Sequence, residues 1–372
     1  MLTDPDIAIL LTGSLVGISA ALIGPFLILR QTAMLSDAIS HAIVLGIMLT
    51  WLSTGLTSGP IQILGAGLSG LLCVWLIERL TETRRVKEDA AIGLVFPALF
   101  AAGVLLMNLF ARDVHVGVHT VLFGEISFVW LDTTMVLGVE VPNALLWMGV
   151  IALVNLGFVL ALWKELKLTT FDPVLAAAFG VYPRAIFYAL LLLTSITAVA
   201  AFDAVGAILF IAFIIVPPSA AYLLTDRLGL MVFLGVVIAV ASVVSGHALA
   251  MSWDVSISGM MALMTGVGLA AAVFLGPRYG LLWRLLRRRA ERQRINVRTL
   301  MVHLHAHEAS LERGQENVAD ALVTHLNWPE VRANSVLEAA LAEGLIRHRD
   351  NLLVLTELGR EEARALVEPW RR

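Results

Sequence analysis

Thiols are almost absent. Cys73 is the single cysteine of 372 residues, and it lies in an apolar run. One cysteine excludes a disulfide within the chain and a thiolate-held metal cluster. Charge is scarce too: Asp, Glu, Lys and Arg make up 15% of the chain and 59% is hydrophobic, where globular domains carry about 25% charged residues. Such a composition belongs to an integral membrane protein with something soluble attached. A phosphate-cradling G-x-x-x-x-G-K-(S/T) loop is also missing. Nothing here hydrolyses ATP, so the chain is not read as an enzyme, and a primary pump built on it must borrow its ATPase. The first apolar run is too long and its start too acidic (Asp4, Asp6) for a cleaved leader. It is read as a first span.

Runs of about 20 apolar residues cross a bilayer. They occur here at 7–29, 34–54, 59–80, 89–111, 145–166, 185–203, 206–224, 229–251 and 256–277. Pro217-Pro218 is expected to break or kink the 206–224 span. The stretch Val121–Val139 is irregular, which leaves eight spans plus a re-entrant segment as the alternative to nine. Basic residues fall on alternate connections: Arg30, then Arg79 to Lys87, then Lys164, Lys167 and Arg184, then Arg227, then the cluster from Arg284 to Arg294. Positive charge marks the cytoplasmic side, so the N-terminus is expected outside and the C-terminus inside.

What the chain does have is one unusual stretch, Met34-Leu35-Ser36-Asp37-Ala38-Ile39-Ser40-His41, opening an apolar run. Asp37 and His41 are four residues apart and share a helix face, with Met34 three residues before Asp37. A carboxylate and an imidazole one turn apart form a bite for a divalent cation. Inside a bilayer both groups are costly and point to a metal or proton pathway; a plain Asp–His bond joining helices is the structural alternative. Asp203, before Val205-Gly206, is a weaker pathway candidate or a cap for the next helix. His115 and His119, in the outer segment 112–127, are a further pair four apart, able to pre-bind metal or simply solvated.

Two further segments stand out. Phe171 to Gly180 has Asp172 as N-cap, Pro173 at the first helical position, alanines including Ala177, and a closing Gly180. That predicts a small-faced helix of about two turns suited to a partner's groove. After Arg294 the chain turns polar. Helices are expected near 297–309, 316–325 and 328–344, then a strand pair within 346–355 turning at Asp350-Asn351, then a last helix from Glu357 or Gly359. This is a winged helix-turn-helix order. Arg332 and Ser335 are its candidate nucleic-acid contacts. Glu330, Glu338 and Glu343 surround them and make a poor footprint for DNA. His303 and His307 are spaced to share a helix face, but they and His305 are expected to be solvated.

The stretch from Leu29-Arg30-Gln31 to His41-Ala42 resembles the metal-transport ABC-3 permeases, the membrane subunits of bacterial manganese, zinc and iron importers. So do Val121 to Ile126, Phe171-Asp172-Pro173, Phe202 to Leu209, and Ile215 to Leu228. The likeness covers about residues 5–280. It implies two permease copies, identical or paralogous, a cytoplasmic ABC ATPase dimer and an extracytoplasmic metal-binding protein, in a bacterial inner membrane. It implies that Asp37 and His41 line the translocation site and that Asp172, Pro173, Ala177 and Gly180 belong to the helix that couples to the ATPase. The tail, from Ala340 to Ile346 and Leu355 to Arg360, resembles the winged-helix domain of metal-dependent repressors of the diphtheria-toxin-repressor type.

The expected protein is therefore an all-α polytopic permease of eight or nine spans (1–280), a basic juxtamembrane linker (281–294) and a small cytoplasmic winged helix-turn-helix domain (295–372). Its cargo is a divalent metal, manganese or iron ahead of zinc, with no permanently bound cofactor. The tail is expected to regulate or stabilise the transporter rather than bind DNA. Two other functions fit the same residues: a membrane-tethered, metal-responsive DNA-binding regulator, and a proton-coupled secondary metal transporter.

Overall fold

The computed structural model describes residues 4–56, 60–110, 126–136, 138–276, 280–310, 313–349 and 351–368. The chain divides into two compact units, Met1–Gly280 and Leu281–Arg372. The first contains α1 (Pro5–Leu29), α2 (Ala33–Thr54), α3 (Pro60–Glu82), α4 (Glu88–Phe110), α5 (Asn143–Ala161), α6 (Trp163–Phe171), α7 (Pro173–Ala178), α8 (Pro183–Val205), α9 (Ala207–Leu224), α10 (Leu228–Trp253) and α11 (Ile257–Leu275). Among the described residues nine of these, all but α6 and α7, are long and apolar enough to cross a membrane. They coincide with the nine expected runs to within a few residues. A 3₁₀ turn at Ile126–Phe128 and an antiparallel hairpin, β1 (Thr133–Val136) with β2 (Val139–Pro142), lie between α4 and α5.

The hub of this unit is α1. The Asp4 carboxylate accepts from the N–H groups of Asp6 and Ile7, and Pro5 occupies the first turn, so the helix starts with its free donors satisfied. It packs on α5, α9 and α10. It approaches α9 tightly at Gly24, where a Cβ would stand 2.3 Å from the Ile214 carbonyl oxygen and 2.7 Å from Pro218 Cγ. Of the break or kink expected at Pro217-Pro218 the break does not occur: α9 runs continuously through both prolines. Pro218 cannot donate to the Ile214 carbonyl, and the freed oxygen packs against the backbone of Gly24 instead. Only a glycine opposite lets the helix keep its course there.

A run of small residues four apart, Ala38, Ala42, Gly46 and Thr50, faces α3. Ser69 Oγ donates to the Ala42 carbonyl at 2.8 Å, and a Cβ on Gly46 would come within 2.5 Å of the Gly65 carbonyl oxygen. Small residues at such spacing let helix backbones approach in a membrane, where tight packing rather than the hydrophobic effect holds them. Gly103 brings α4 equally close, onto the backbone of Val44 and Leu45.

The second unit contains α12 (Leu281–His307), α13 (Arg313–Glu316), α14 (Ala319–Thr324), α15 (Glu330–Ala342), a hairpin of β3 (Ile346–Arg349) and β4 (Leu352–Leu355), and α16 (Glu357–Val367). Residues 281–294, expected as a linker, are the first half of α12. The single helix expected over 316–325 is two short ones, because buried Asn317 bonds elsewhere and Val318 is extended. Asn317 donates to the Leu304 carbonyl at 3.4 Å, and its own carbonyl accepts from Leu353 N–H at 2.7 Å. Gly344 at φ +67° ends α15, and Asn351 takes φ +68° at the hairpin turn. Leu300, Leu304, Leu322, Trp328, Val336, Ile346 and Leu355 form the core of this unit.

Candidate functional site in the membrane unit

The buried faces of α2 fix what its remaining face must show. Ala38, Ala42 and Gly46 face α3, while Leu35, Ile39 and Ile43 are buried in the core. Met34, Asp37, His41 and Val44 are left as a partly accessible stripe. The Asp37 and His41 side chains keep 37% and 33% of their exposure. His41 stacks on Phe96 with ring centroids 5.4 Å apart and meets Phe100 edge-on at 5.8 Å. Two rings from α4 thus hold the imidazole in place.

His41 Nε2 lies 3.7 Å from Asp37 Oδ1. That is beyond hydrogen-bond range and at the distance of a loose ion pair. Two ligand atoms on one transition-metal ion, each at about 2.0–2.2 Å, stand about 3.0–3.4 Å apart. The pair is open and close to that bite. Its two ligands fill only part of a coordination shell, and among the described residues no third His, Cys, Asp or Glu joins them.

The N-terminal end of α2 is tied to a distant segment. Arg30 follows α1, and Gln31 takes φ +61° to turn the chain into α2. The Arg30 guanidinium donates to Thr169 Oγ1 at 2.7 Å and Thr170 Oγ1 at 3.2 Å, both on α6, and lies over the Phe187 ring of α8. Burial pulls its pKa below the ordinary guanidinium value. One residue beyond α6, the Asp172 carboxylate accepts from Leu175 N–H at 2.8 Å and caps α7. Gly180 takes φ +78°. Pro173 and Ala177 are exposed. The surface shows these small residues together with larger apolar ones. α7 is a six-residue helix that buries Ala176 and exposes Val174, with Phe171, Phe179 and Tyr182 exposed around it.

Asp203 does not join Asp37 and His41. A Cβ on Gly70 would touch both Ile39 and Ser195, so Ser195 is level with the pair. Asp203 lies eight residues further (203 − 195), about 12 Å along α8. Nor does Asp203 cap the next helix: Gly206 holds the cap position of α9 with no side-chain bond. His115 and His119 lie outside the described residues, as does the 121–125 part of the outer motif.

Sequence reasoning missed one ionisable pair. His247, buried in α10, places Nε2 3.2 Å from Asp6 Oδ1, and its Nδ1 has no partner. The signal was available: an imidazole in the middle of an apolar run is costly wherever it lies. A cleft of about 1040 Å³ between α1, α5 and α10 is apolar apart from Lys164 and Glu165, and neither Asp37 nor His41 lines it.

Residues 7–276 match the ABC 3 transport family. A zinc transport system membrane protein, TroD, of Treponema pallidum is 42% identical over 361 residues, 97% of this chain and 98% of that protein. A manganese transport system membrane protein, MntD, of Bacillus subtilis is 45% identical over 280 residues, 75% of this chain and 95% of that protein. Among solved structures, PsaBC from Streptococcus pneumoniae in complex with Fab superposes with a TM-score of 0.62 at 28% identity, over 73% of this chain and 91% of that one.

Proposed function

The chain belongs to the ABC 3 transport family, and on that footing we propose that it is the membrane permease subunit of an ATP-driven importer of divalent transition-metal ions. Its relatives are named for zinc and for manganese, and ligand type alone does not choose between these and iron. It is a transport component and hydrolyses nothing itself.

One observation carries the site assignment: Asp37 and His41 stand 3.7 Å apart, too far for a hydrogen bond, on the accessible stripe of a membrane-length helix. A carboxylate and imidazole left about a third exposed on such a helix call for a partner surface. A second copy of the permease would bring two more ligands and close the shell. In this reading metal arrives from an extracytoplasmic binding protein, enters between the two α2 stripes, and leaves when the ATPases below change state. The N-terminus faces outward and the C-terminus inward. An ATPase would dock on the aromatic surface around α7, and Arg30 would pass its movement through α6 to the start of α2.

Residues 295–372 are a winged helix in this reading, supported by the order of three helical segments, a hairpin and a helix, with 281–294 joining it to the permease. Its role is contact with protein. Arg332 is already engaged by Asn296 and stacks 5.1 Å over Trp328, and exposed Glu330, Glu338 and Glu343 repel a phosphate backbone. Ser335 alone of the two candidate contacts stays free to meet a partner surface.

The test is co-purification with a candidate ABC ATPase, followed by ATP hydrolysis in proteoliposomes. Hydrolysis that rises with metal-loaded binding protein supports the reading. Uptake that proceeds without any ATPase and follows a proton gradient contradicts it.

A further inference from the structure

The histidines of the tail are not solvated as expected. His303 and His307 lie one turn apart on α12 with ring centroids 4.8 Å apart. Both face Glu316 of α13, and the candidate ligand atoms of the three residues all lie within 4.8 Å of one another. A third imidazole, His325 at the end of α14, places Nδ1 2.6 Å from Glu316 Oε2. We infer that His303, His307 and Glu316, closed by His325, form a binding site for a divalent transition-metal ion in the soluble unit.

Three features separate this cluster from an ordinary ion pair. First, one carboxylate can neutralise one imidazolium, and here three imidazoles surround it. Three rings outnumber the two carboxylate oxygens, and a cation shared among them takes up the lone pairs that their hydrogen bonds leave over. Second, His307 Nδ1 is 3.0 Å from the His303 carbonyl oxygen and donates to it. That bond fixes the tautomer and leaves Nε2 as an unprotonated donor atom, the arrangement second-shell partners give to metal-ligating histidines. Third, the support is rigid. Buried Asn317, next to Glu316, is tied to Leu304 on α12 and to Leu353 on β4, so the carboxylate is held against the histidine face. His303 Nε2 lies 3.7 Å from Glu316 Oε2 and 3.1 Å from the Glu316 carbonyl oxygen.

Exposure gives the site a closed floor and an open side. The His303 and Glu316 side chains are 9% and 17% exposed, and His325 is 48% exposed. The more exposed histidine is the one free to swing aside as metal enters. Ligands on one ion would stand about 3.4 Å apart, so loading draws the cluster together and clamps α12 to α13 and α14. Imidazole and carboxylate without thiolate suit zinc-type ions, and manganese ranks below zinc in such a set.

The test uses the full-length chain in detergent, carrying Asp37→Ala and His41→Ala so that the membrane pair cannot contribute. The protein is stripped with chelator, loaded with Zn²⁺, desalted and assayed for bound zinc and for thermal unfolding. The expected result is about one zinc per chain and a raised midpoint for the tail. Glu316→Gln and His307→Gln are each expected to weaken binding by about tenfold or more. His325→Ala, at a half-exposed position, should lower affinity without unfolding the unit. His305→Gln, whose imidazole faces Glu308 instead, should bind like the parent. Failure of the parent to retain zinc overturns the site, as does unchanged affinity in folded Glu316→Gln and His307→Gln proteins. Neither outcome bears on transport through Asp37 and His41.

Discussion

At the scale of single residues, His41 is the most closely held side chain of the proposed membrane site. Phe96 stacks on it and Phe100 closes its edge. Removing the stacking ring should loosen the imidazole without removing a ligand. An aromatic pair contributes about 0.5–1.5 kcal/mol, so Phe96→Ala is expected to weaken apparent metal affinity about 2- to 10-fold in transport assays while maximal uptake survives. Loss of maximal uptake at saturating metal, in a protein that still assembles, would mean that Phe96 does more than orient His41. The Asp37–His41 pair was legible from spacing and membrane cost alone. The rings were not, because they come from α4, more than fifty residues on, and nothing local in the sequence assigns them to His41.

At the scale of elements, the membrane spans were legible because length and apolar composition are local properties. Two elements turn on a distant partner. Pro217-Pro218 looked like a break or kink, and the break is avoided where Gly24 on another helix gives the freed Ile214 carbonyl a place to pack. The 316–325 helix split because Asn317 bonds to Leu304 and β4. The surface around α7 was judged by its alanines, of which Ala177 and Ala178 are exposed, while the flanking Phe171, Phe179 and Tyr182 add an aromatic rim. Two substitutions separate docking from transmission. Gly180 has open space around it but φ +78°, so Gly180→Ala should cost about 1–2 kcal/mol locally and weaken ATPase association in pull-down titrations. Arg30→Ala removes the bonds to Thr169 and Thr170 and leaves α7 untouched. It should keep ATPase association and lose metal stimulation of hydrolysis. The reverse pattern would contradict the route from α7 through Arg30 to α2.

At the scale of the whole chain, two compact units share one polypeptide, and the tether keeps each at high effective concentration near the other. Deleting residues 295–372 should leave a permease that inserts, assembles and transports, with an altered hydrolysis rate or metal dependence. Loss of all transport in an assembled truncated protein would assign the tail an essential part. The central claim rests in the membrane unit, and uptake measured in proteoliposomes with the partner ATPase and metal-loaded binding protein tests it most directly. Asp37→Asn keeps the size of the side chain and removes its charge. With wild type, Asp37→Asn and His41→Gln compared at equal permease content, we expect accumulation of the metal by wild type alone, with both variants still binding the ATPase. Wild-type accumulation by either variant would contradict the assignment of the pathway to this face of α2.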